Sequence, residues 1–85
     1  MATIKLTVMS KDLEFKPTLH AYNSYINEMQ PNNKISPSHN FLMRIVAQKS
    51  KANLEELLKL PGASIQIAGK VVEEYAPNIE ITVGK

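Results

Sequence analysis

The sequence predicts an α+β fold, in which a small β-sheet is covered on one face by helices. Near both ends of the chain, apolar residues alternate with polar residues, which is typical of half-buried strands. Between these ends, apolar residues recur three and four positions apart, which is typical of amphipathic helices. The predicted order is an N-terminal β-hairpin, three to four helices and a C-terminal strand that completes a three-stranded sheet. Residues 1–85 are expected to form a single domain, because a chain of this length is short for more than one.

The hairpin is predicted by two short alternating runs that a few polar residues connect. The first run occupies residues 3–9, and the second follows the polar residues "SKD". The apolar residues expected to face the core are Ile4, Leu6, Val8, Leu13 and Phe15. Pro17 ends the second strand, because proline has no N–H to donate to a neighbouring strand.

The first two helices are marked by residues that favour helix starts. Thr18 is a suitable N-cap for the first helix, and Pro31 with the two asparagines after it ends that helix. Ser36 is the predicted N-cap of the second helix, since Pro37 after it suits the first helical position. The stripes expected to face the core are Leu19, Tyr22, Ile26 and Met29 in the first helix and Phe41, Leu42, Ile45 and Val46 in the second.

Two further helices and a strand complete the pattern. Either Ser50 or Asn53 is expected to cap the third helix, which the Pro-Gly pair after it ends. The residues predicted to face inward are Leu54, Leu57 and Leu58 in the third helix and Ile65, Ile67, Ala68, Val71, Val72 and Tyr75 in the fourth. Gly69 lies inside the fourth helix and is expected to allow close packing against a neighbour. Residues 79–83 alternate again and are predicted to pair with the first strand.

The stretch "KISPSHNFLMRIVAQKS" gathers the residue types of a hydrolytic site, with His39 close to Ser36 and Ser38. In nucleophilic sites, however, the serine, its base and the orienting acid converge from separate segments of the chain. Glu73 and Glu74 are consecutive on a helix and point about 100° apart, which prevents them from flanking one substrate atom. The sequence therefore predicts no enzyme activity, no catalytic residue, no cofactor and no metal site.

Basic residues cluster in the middle of the chain, where residues 34–51 carry no acidic residue. Such a cluster is one sign of nucleic-acid binding. The aromatic residues are not interleaved with it as a base-stacking surface requires, so we interpret it as a solvated helical face and do not expect nucleic acid as the partner. The chain has no cysteine and no apolar run of about 20 residues, so it is expected to be a soluble cytoplasmic protein with no membrane segment.

Contact with another protein is the remaining function that the residues favour. Met43 and Arg44 fall between the inward pairs of the second helix, and this side is expected to meet a partner together with Lys49 and Lys51. The alternative, that Met43 and the methionine of the first helix fill gaps in the core, stays open at this point. Replacing His39 with alanine is expected to leave function nearly intact.

Three stretches carry a resemblance to a known family: "TIKLTV", "AYNSYINEMQPNNKISPSHNFLMR" and "LLKLPGASIQIAGKVVEEYAPNIEITVGK". They are similar to the phage tail assembly chaperones, small proteins of tailed phages and prophages that are encoded next to the tape measure gene. The resemblance implies binding to the tape measure protein, which the chaperone keeps soluble in the cytoplasm of the bacterial host while the tail tube protein polymerises around it. It implies no enzyme activity and no cofactor, and it supplies no site residues.

Many copies would be needed along a long tape measure chain, so self-association into a homo-oligomer is expected, with avidity supplying the strength of binding. Two alternative functions stay open. A minor structural component of the phage tail or baseplate would remain in purified particles. A small basic nucleic-acid-binding regulator would bind with an affinity that falls steeply with salt.

Overall fold

The computed structural model describes residues 3–84, and within this range it has two strands and four helices. The elements are β1 (Ile4–Val8), β2 (Lys11–Phe15), α1 (Leu19–Glu28), α2 (Ile35–Ile45), a 3-10 turn (Gln48–Ser50), α3 (Lys51–Leu57) and α4 (Ala63–Tyr75). The α+β class, the N-terminal hairpin and the four helices are thereby confirmed. No helix in this range is long and apolar enough to cross a membrane.

β1 and β2 form an antiparallel hairpin in which Ile4 pairs with Phe15 and Leu6 pairs with Leu13. The side chains of Ile4, Leu13 and Phe15 are buried against the helices. The opposite side of the sheet is polar and exposed, as at Lys5. The alternation in the sequence therefore predicted the inner side of this hairpin correctly.

Met9 and Ser10 form the turn of the hairpin, and both have positive φ angles, 49° and 69°. A two-residue turn with positive φ at both positions suits the right-handed twist of a hairpin, and asparagine and glycine are favoured there. Methionine is not, because its Cβ is crowded in the left-handed conformation. The turn is therefore strained at Met9.

The two edges of this sheet differ. Along the outer edge of β2, the Lys16 N–H donates to the Ile45 carbonyl oxygen and the Ala47 N–H donates to the Glu14 carbonyl oxygen, both at 2.8 Å. The segment after α2 therefore covers this edge. The backbone of β1, by contrast, bonds to no residue between 3 and 84 outside β2, so its outer edge is open in this part of the chain.

The hydrophobic core lies between the inner side of the sheet and the helices. Its largest fully buried apolar side chains are Leu13, Phe15, Phe41, Leu42, Leu54 and Val71. Tyr25 of α1 stacks on Phe41 of α2, with ring centroids 4.7 Å apart and ring planes 17° from parallel. α2, the helix that carries Phe41, packs against both α1 and α4. It therefore joins these two helices to the core.

The inward residues predicted for α2, α3 and α4 are largely confirmed. The buried ones are Phe41, Leu42, Ile45, Leu54, Leu57, Ile67, Ala68 and Val71. The half-buried ones are Val46, Leu58, Val72 and Tyr75. Ile65 is the exception, because it is 41% exposed while the neighbouring Ser64 is buried.

α1 turns a different face to the core from the one its stripe predicts. Ala21 and Tyr25 are buried, whereas Leu19 is 64% and Ile26 is 46% exposed. The half-buried residues of the predicted stripe are Tyr22 and Met29. The stack of Tyr25 on Phe41 explains the rotation, since a buried aromatic pair contributes more than its area alone.

α1 begins as predicted, because the Ala21 N–H donates to Thr18 Oγ1 at 3.1 Å. The N-cap predicted for α2 is wrong. That helix begins at Ile35, so Ser36 and Pro37 lie in its first turn, and the N-cap position has no side-chain hydrogen bond. Proline is tolerated in this turn because the first four N–H groups of a helix have no intrahelical partner.

The predicted cap of α3 is confirmed in position at Ser50, but neither Ser50 nor Asn53 makes a side-chain capping bond. Ser50 occupies the N-cap position, but its Oγ accepts a hydrogen bond from the Glu14 N–H at 2.9 Å. Asn53 lies inside the helix and donates Nδ2–H to the Asp12 carbonyl oxygen at 3.2 Å. Both side chains therefore tie α3 and the turn before it to β2.

Gly69 does not pack closely against a neighbour, so that prediction is wrong. It is exposed, and a methyl group added at its Cα would meet no atom within 4 Å. Gly69→Ala should raise the free energy of unfolding by about 0.5–1 kcal/mol, because alanine loses less backbone entropy than glycine in a helix. Urea denaturation of the wild-type and substituted proteins measures the change.

Gly62 provides a control of the opposite sign. It lies in the turn between α3 and α4 with φ +77°, a conformation that is costly for any residue with a Cβ. Gly62→Ala is expected to lower the free energy of unfolding by about 1 kcal/mol. A loss of stability in both variants would contradict the open surroundings of Gly69.

The predicted third strand is not shown within residues 3–84, where the sheet has two strands. Residues 77–84 follow α4 without pairing to either strand, and Ile79, Ile81 and Val83 are 69%, 83% and 90% exposed. The principal extents of the molecule are 51 × 31 × 21 Å, which is elongated for a chain of this length. The three-stranded sheet therefore stays a prediction.

Candidate functional site

The residues that resemble a hydrolytic site do not form one. Ser38 is fully buried, donates to the Ile35 carbonyl oxygen at 2.8 Å, and shares a hydrogen bond with Ser64 Oγ at 3.0 Å. His39 is exposed and faces a shallow depression towards α3. The Ser38 hydroxyl therefore joins α2 to α4 and is not presented to His39 as a nucleophile.

Ser38→Ala is expected to lower the free energy of unfolding by about 1–2 kcal/mol, because the buried Ser64 hydroxyl loses its partner. Ser36→Ala is the matched control, since Ser36 is exposed and should change stability by less than about 0.5 kcal/mol. Replacing both Ser38 and Ser64 with alanine should cost less than the sum of the single changes, because no buried hydroxyl is then left unpaired. Equal losses in the Ser36 and Ser38 variants, measured by urea denaturation, would contradict this role.

The predicted contact residues lie in different surroundings. Met43 is half-buried and packs against the core, so its side chain fills space there, and Lys51 is exposed at the start of α3. Arg44 forms an ion pair with Glu28 of α1 at 3.2 Å, and Lys49 forms one with Glu14 of β2 at 3.0 Å. A role for these four residues in binding a partner stays a prediction.

The ion pair with Lys49 has a consequence for charge. The hydrogen bond from Lys49 lowers the pKa of Glu14, and the carboxylate is ionised at neutral pH. The contribution of this ion pair to stability is lost only as the pH falls through the lowered pKa. Arg44 and Lys49 are thus partly neutralised by the fold. This weakens the interpretation of residues 34–51 as a nucleic-acid surface.

The outer side of the sheet carries a polar depression of about 360 Å³ between β1, β2 and the 3-10 turn. Its polar groups bind one another, because Thr7 Oγ1 donates to Asp12 Oδ1 at 3.0 Å and Glu14 pairs with Lys49. Among residues 3–84, no group of three or more His, Asp or Glu side chains is placed to hold a metal ion. Thr7, Asp12, Glu14 and Lys49 are therefore engaged with one another within the fold.

An apolar groove lies at the tip of the hairpin, where the β-turn meets the connection between α3 and α4. We call it the tip groove, and its volume is about 190 Å³. It is lined by Val8, Met9, Leu57, Leu60, Pro61, Ala63, Gln66 and Ile67. Met9 is 72% and Leu60 is 44% exposed, so two large apolar side chains face solvent at its mouth.

The strain at Met9 points to this groove as a functional site. Turn chemistry favours asparagine or glycine at a position with positive φ, yet this chain places there a large apolar side chain that the fold leaves exposed. Strained residues concentrate at binding sites. Methionine is flexible and polarizable, which suits contact with apolar surfaces of varied shape.

Reasoning from the sequence missed Met9. The first alternating run was predicted to extend through Met9, whereas β1 ends at Val8 and Met9 begins the turn, so the alternation gave no signal for a turn at this residue. Leu60 carried no signal either, because a leucine before a Pro-Gly pair is equally consistent with a core residue at a helix end.

Comparisons with known proteins place the chain among phage proteins. A family model described as phage tail assembly chaperone matches residues 4–85. The chain is also similar to the "uncharacterized 11.3 kDa protein in lys 3′ region" of Haemophilus phage HP1 (strain HP1c1), with 36% identity over 81 residues that make up 95% of this chain and 79% of the relative. No solved structure matches.

Proposed function

This chain belongs to the phage tail assembly chaperone family, and we propose that it binds the tape measure protein of its phage, keeps that protein soluble and assists polymerisation of the tail tube. The action is non-enzymatic and takes place in the cytoplasm of the bacterial host. The tail tube protein is the second partner, which meets the chaperone while it occupies the tape measure chain.

The tip groove is the observation that supports this function best. Long helical proteins expose stripes of apolar residues, and a groove with an exposed methionine and leucine at its mouth suits such a stripe. The groove is small, so each copy covers a short part of a helix and binds with modest affinity. Several copies along one tape measure chain then supply strength by avidity.

Co-expression with the tape measure protein tests this function. We expect the tape measure protein to move from the insoluble to the soluble fraction and to co-purify with the chaperone. His39→Ala serves as a control that should behave like the wild type, since His39 is exposed and lies outside the tip groove. Equal insolubility with and without the chaperone, without co-purification, would refute the proposal.

The location of the protein after assembly separates this function from its main competitor. A chaperone leaves the finished tail, so it should be absent from purified phage particles. A minor structural component of the tail or baseplate would be retained there in fixed copy number. Quantitative mass spectrometry of purified particles distinguishes these two outcomes.

A further inference from the structure

The C-terminal segment exposes an apolar stripe that has no partner within residues 3–84. Ile79, Ile81 and Val83 are 69%, 83% and 90% exposed, and they alternate with Glu80 and Thr82. Alternation of β-branched and polar residues is the pattern of a strand that buries one face. The segment therefore has the composition of a strand but pairs with neither β1 nor β2.

The open edge of β1 has the complementary character. A groove of about 280 Å³ runs between this edge and α4, and we call it the edge groove. It is lined by Leu6, Thr7, Val8, Gln66, Ile67 and Lys70. An uncovered edge presents unpaired backbone groups to any strand that approaches, and here half-buried apolar side chains lie beside it.

We propose that residues 79–83 of one copy of this chain add to β1 of a second copy as the third strand of its sheet. In any register that places Ile79, Ile81 and Val83 in the edge groove, Glu80 lies on the same side of the sheet as Lys5, because side chains alternate along both strands. Lys5 is exposed on that side, and the register that we assign is the one that sets Glu80 opposite Lys5, because it pairs opposite charges.

The course of α4 favours a second copy over pairing within one chain. Gln66 lines a cavity with Val8, whereas Glu74, two turns later, lines one with Ile4. α4 therefore runs antiparallel to β1 and ends near the start of that strand. The chain would have to reverse direction immediately after α4 to run along its own β1.

The residues after α4 do not make this reversal. Ala76 is extended, with φ −77° and ψ 124°, and Pro77 follows it. The segment then continues with its apolar residues in solvent, in a molecule whose longest extent is 51 Å. A strand held away from its own sheet, beside an open edge of matching pattern, is the arrangement from which strand exchange between copies proceeds.

A pair of substitutions in the exposed segment tests the proposal by the oligomeric state. The wild-type protein is expected to self-associate in sedimentation velocity. Ile81→Asp should raise the dissociation constant about tenfold or more, because it places a charge in an apolar groove. Thr82→Asp adds the same charge on the opposite side of the strand and should change association far less. A monomeric wild type, or equal effects of the two substitutions, would overturn the proposal, and both positions are exposed, so neither change threatens the fold.

Cysteine pairing identifies the strands involved, since the chain has no cysteine of its own. Lys5→Cys and Glu80→Cys proteins, mixed and oxidised, should form a mixed disulfide that Ile81→Asp in the Glu80→Cys chain suppresses. Absence of the mixed disulfide would refute pairing between copies. A disulfide confined to the monomeric double variant Lys5→Cys/Glu80→Cys would show pairing within one chain and would refute it as well. Neither result depends on the tip groove or on the tape measure protein.

Discussion

Phe41→Ala is expected to lower the free energy of unfolding by about 3–5 kcal/mol, because it removes a fully buried aromatic side chain and leaves a cavity. The ring of Phe41 stacks on Tyr25 at 4.7 Å, so the substitution also removes the contact that sets the orientation of α1. A chain of 85 residues has a total stability of about 4–13 kcal/mol. The variant should therefore lose a large fraction of its stability, and at the lower end of this range it is partly unfolded without denaturant.

Guanidinium denaturation followed by far-UV circular dichroism measures this loss, with Leu19→Ala as the control. The sequence predicts that Leu19 faces the core, but its side chain is 64% exposed, so its truncation should cost less than about 0.5 kcal/mol. Phe41→Leu should cost less than Phe41→Ala, since it fills most of the cavity. A cost at Leu19 similar to that at Phe41 would mean that α1 packs by its predicted stripe instead.

Local patterns were sufficient to predict most elements of the fold. Alternation located both strands of the hairpin, and proline and glycine located the ends of α3 and α4, because these residues act on the backbone at their own positions. The Thr18 cap was also predictable, since it bonds to a backbone N–H three residues away. Effects within a few residues of each other can be read from the order of residues alone.

Contacts between distant segments account for the wrong face of α1 and for the missing side-chain cap of α3. The face of α1 depends on Tyr25 and Phe41, which lie 16 positions apart in the sequence. Ser50 has the right position for a cap, but its hydroxyl is engaged by the Glu14 N–H of β2. The sequence around a serine does not indicate whether its hydroxyl will bond to its own helix or to the backbone of another element.

The candidate site was hidden for the same reason. The tip groove forms where the hairpin turn meets the connection between α3 and α4, and the sequence does not place these two segments side by side. The open edge of β1 could not be predicted either. Which edge of the hairpin is covered depends on the backbone of Ala47, which bonds to β2 and not to β1. The four residues predicted for partner contact lie close together in the sequence, between residues 43 and 51. Met9 is far from them in the sequence and was therefore not considered with them.

Met9→Asn is expected to change stability and function in opposite directions. Asparagine tolerates positive φ, so the free energy of unfolding should rise by about 0.5–1 kcal/mol. Binding to the tape measure protein should weaken about tenfold or more, because a partner then buries a polar amide in place of a methionine whose burial contributes about 1.5–3 kcal/mol. Titration of the purified variant against a soluble apolar helical segment of the tape measure protein measures the affinity, and urea denaturation measures the stability.

The opposed signs separate a binding role for Met9 from a structural one. A residue that served the fold would lose stability and binding together, whereas strain retained for binding is relieved when binding is lost. Leu60→Asn, at the mouth of the same groove, should weaken binding similarly, and Leu19→Asn, an exposed leucine on α1, should not. Wild-type affinity in the Met9 variant would show that the tip groove is not the binding site. An equal loss of affinity in the Leu19 variant would show that binding uses a diffuse apolar surface and not one groove. The higher free energy of unfolding expected for the Met9 variant shows that a loss of its affinity is not caused by damage to the fold.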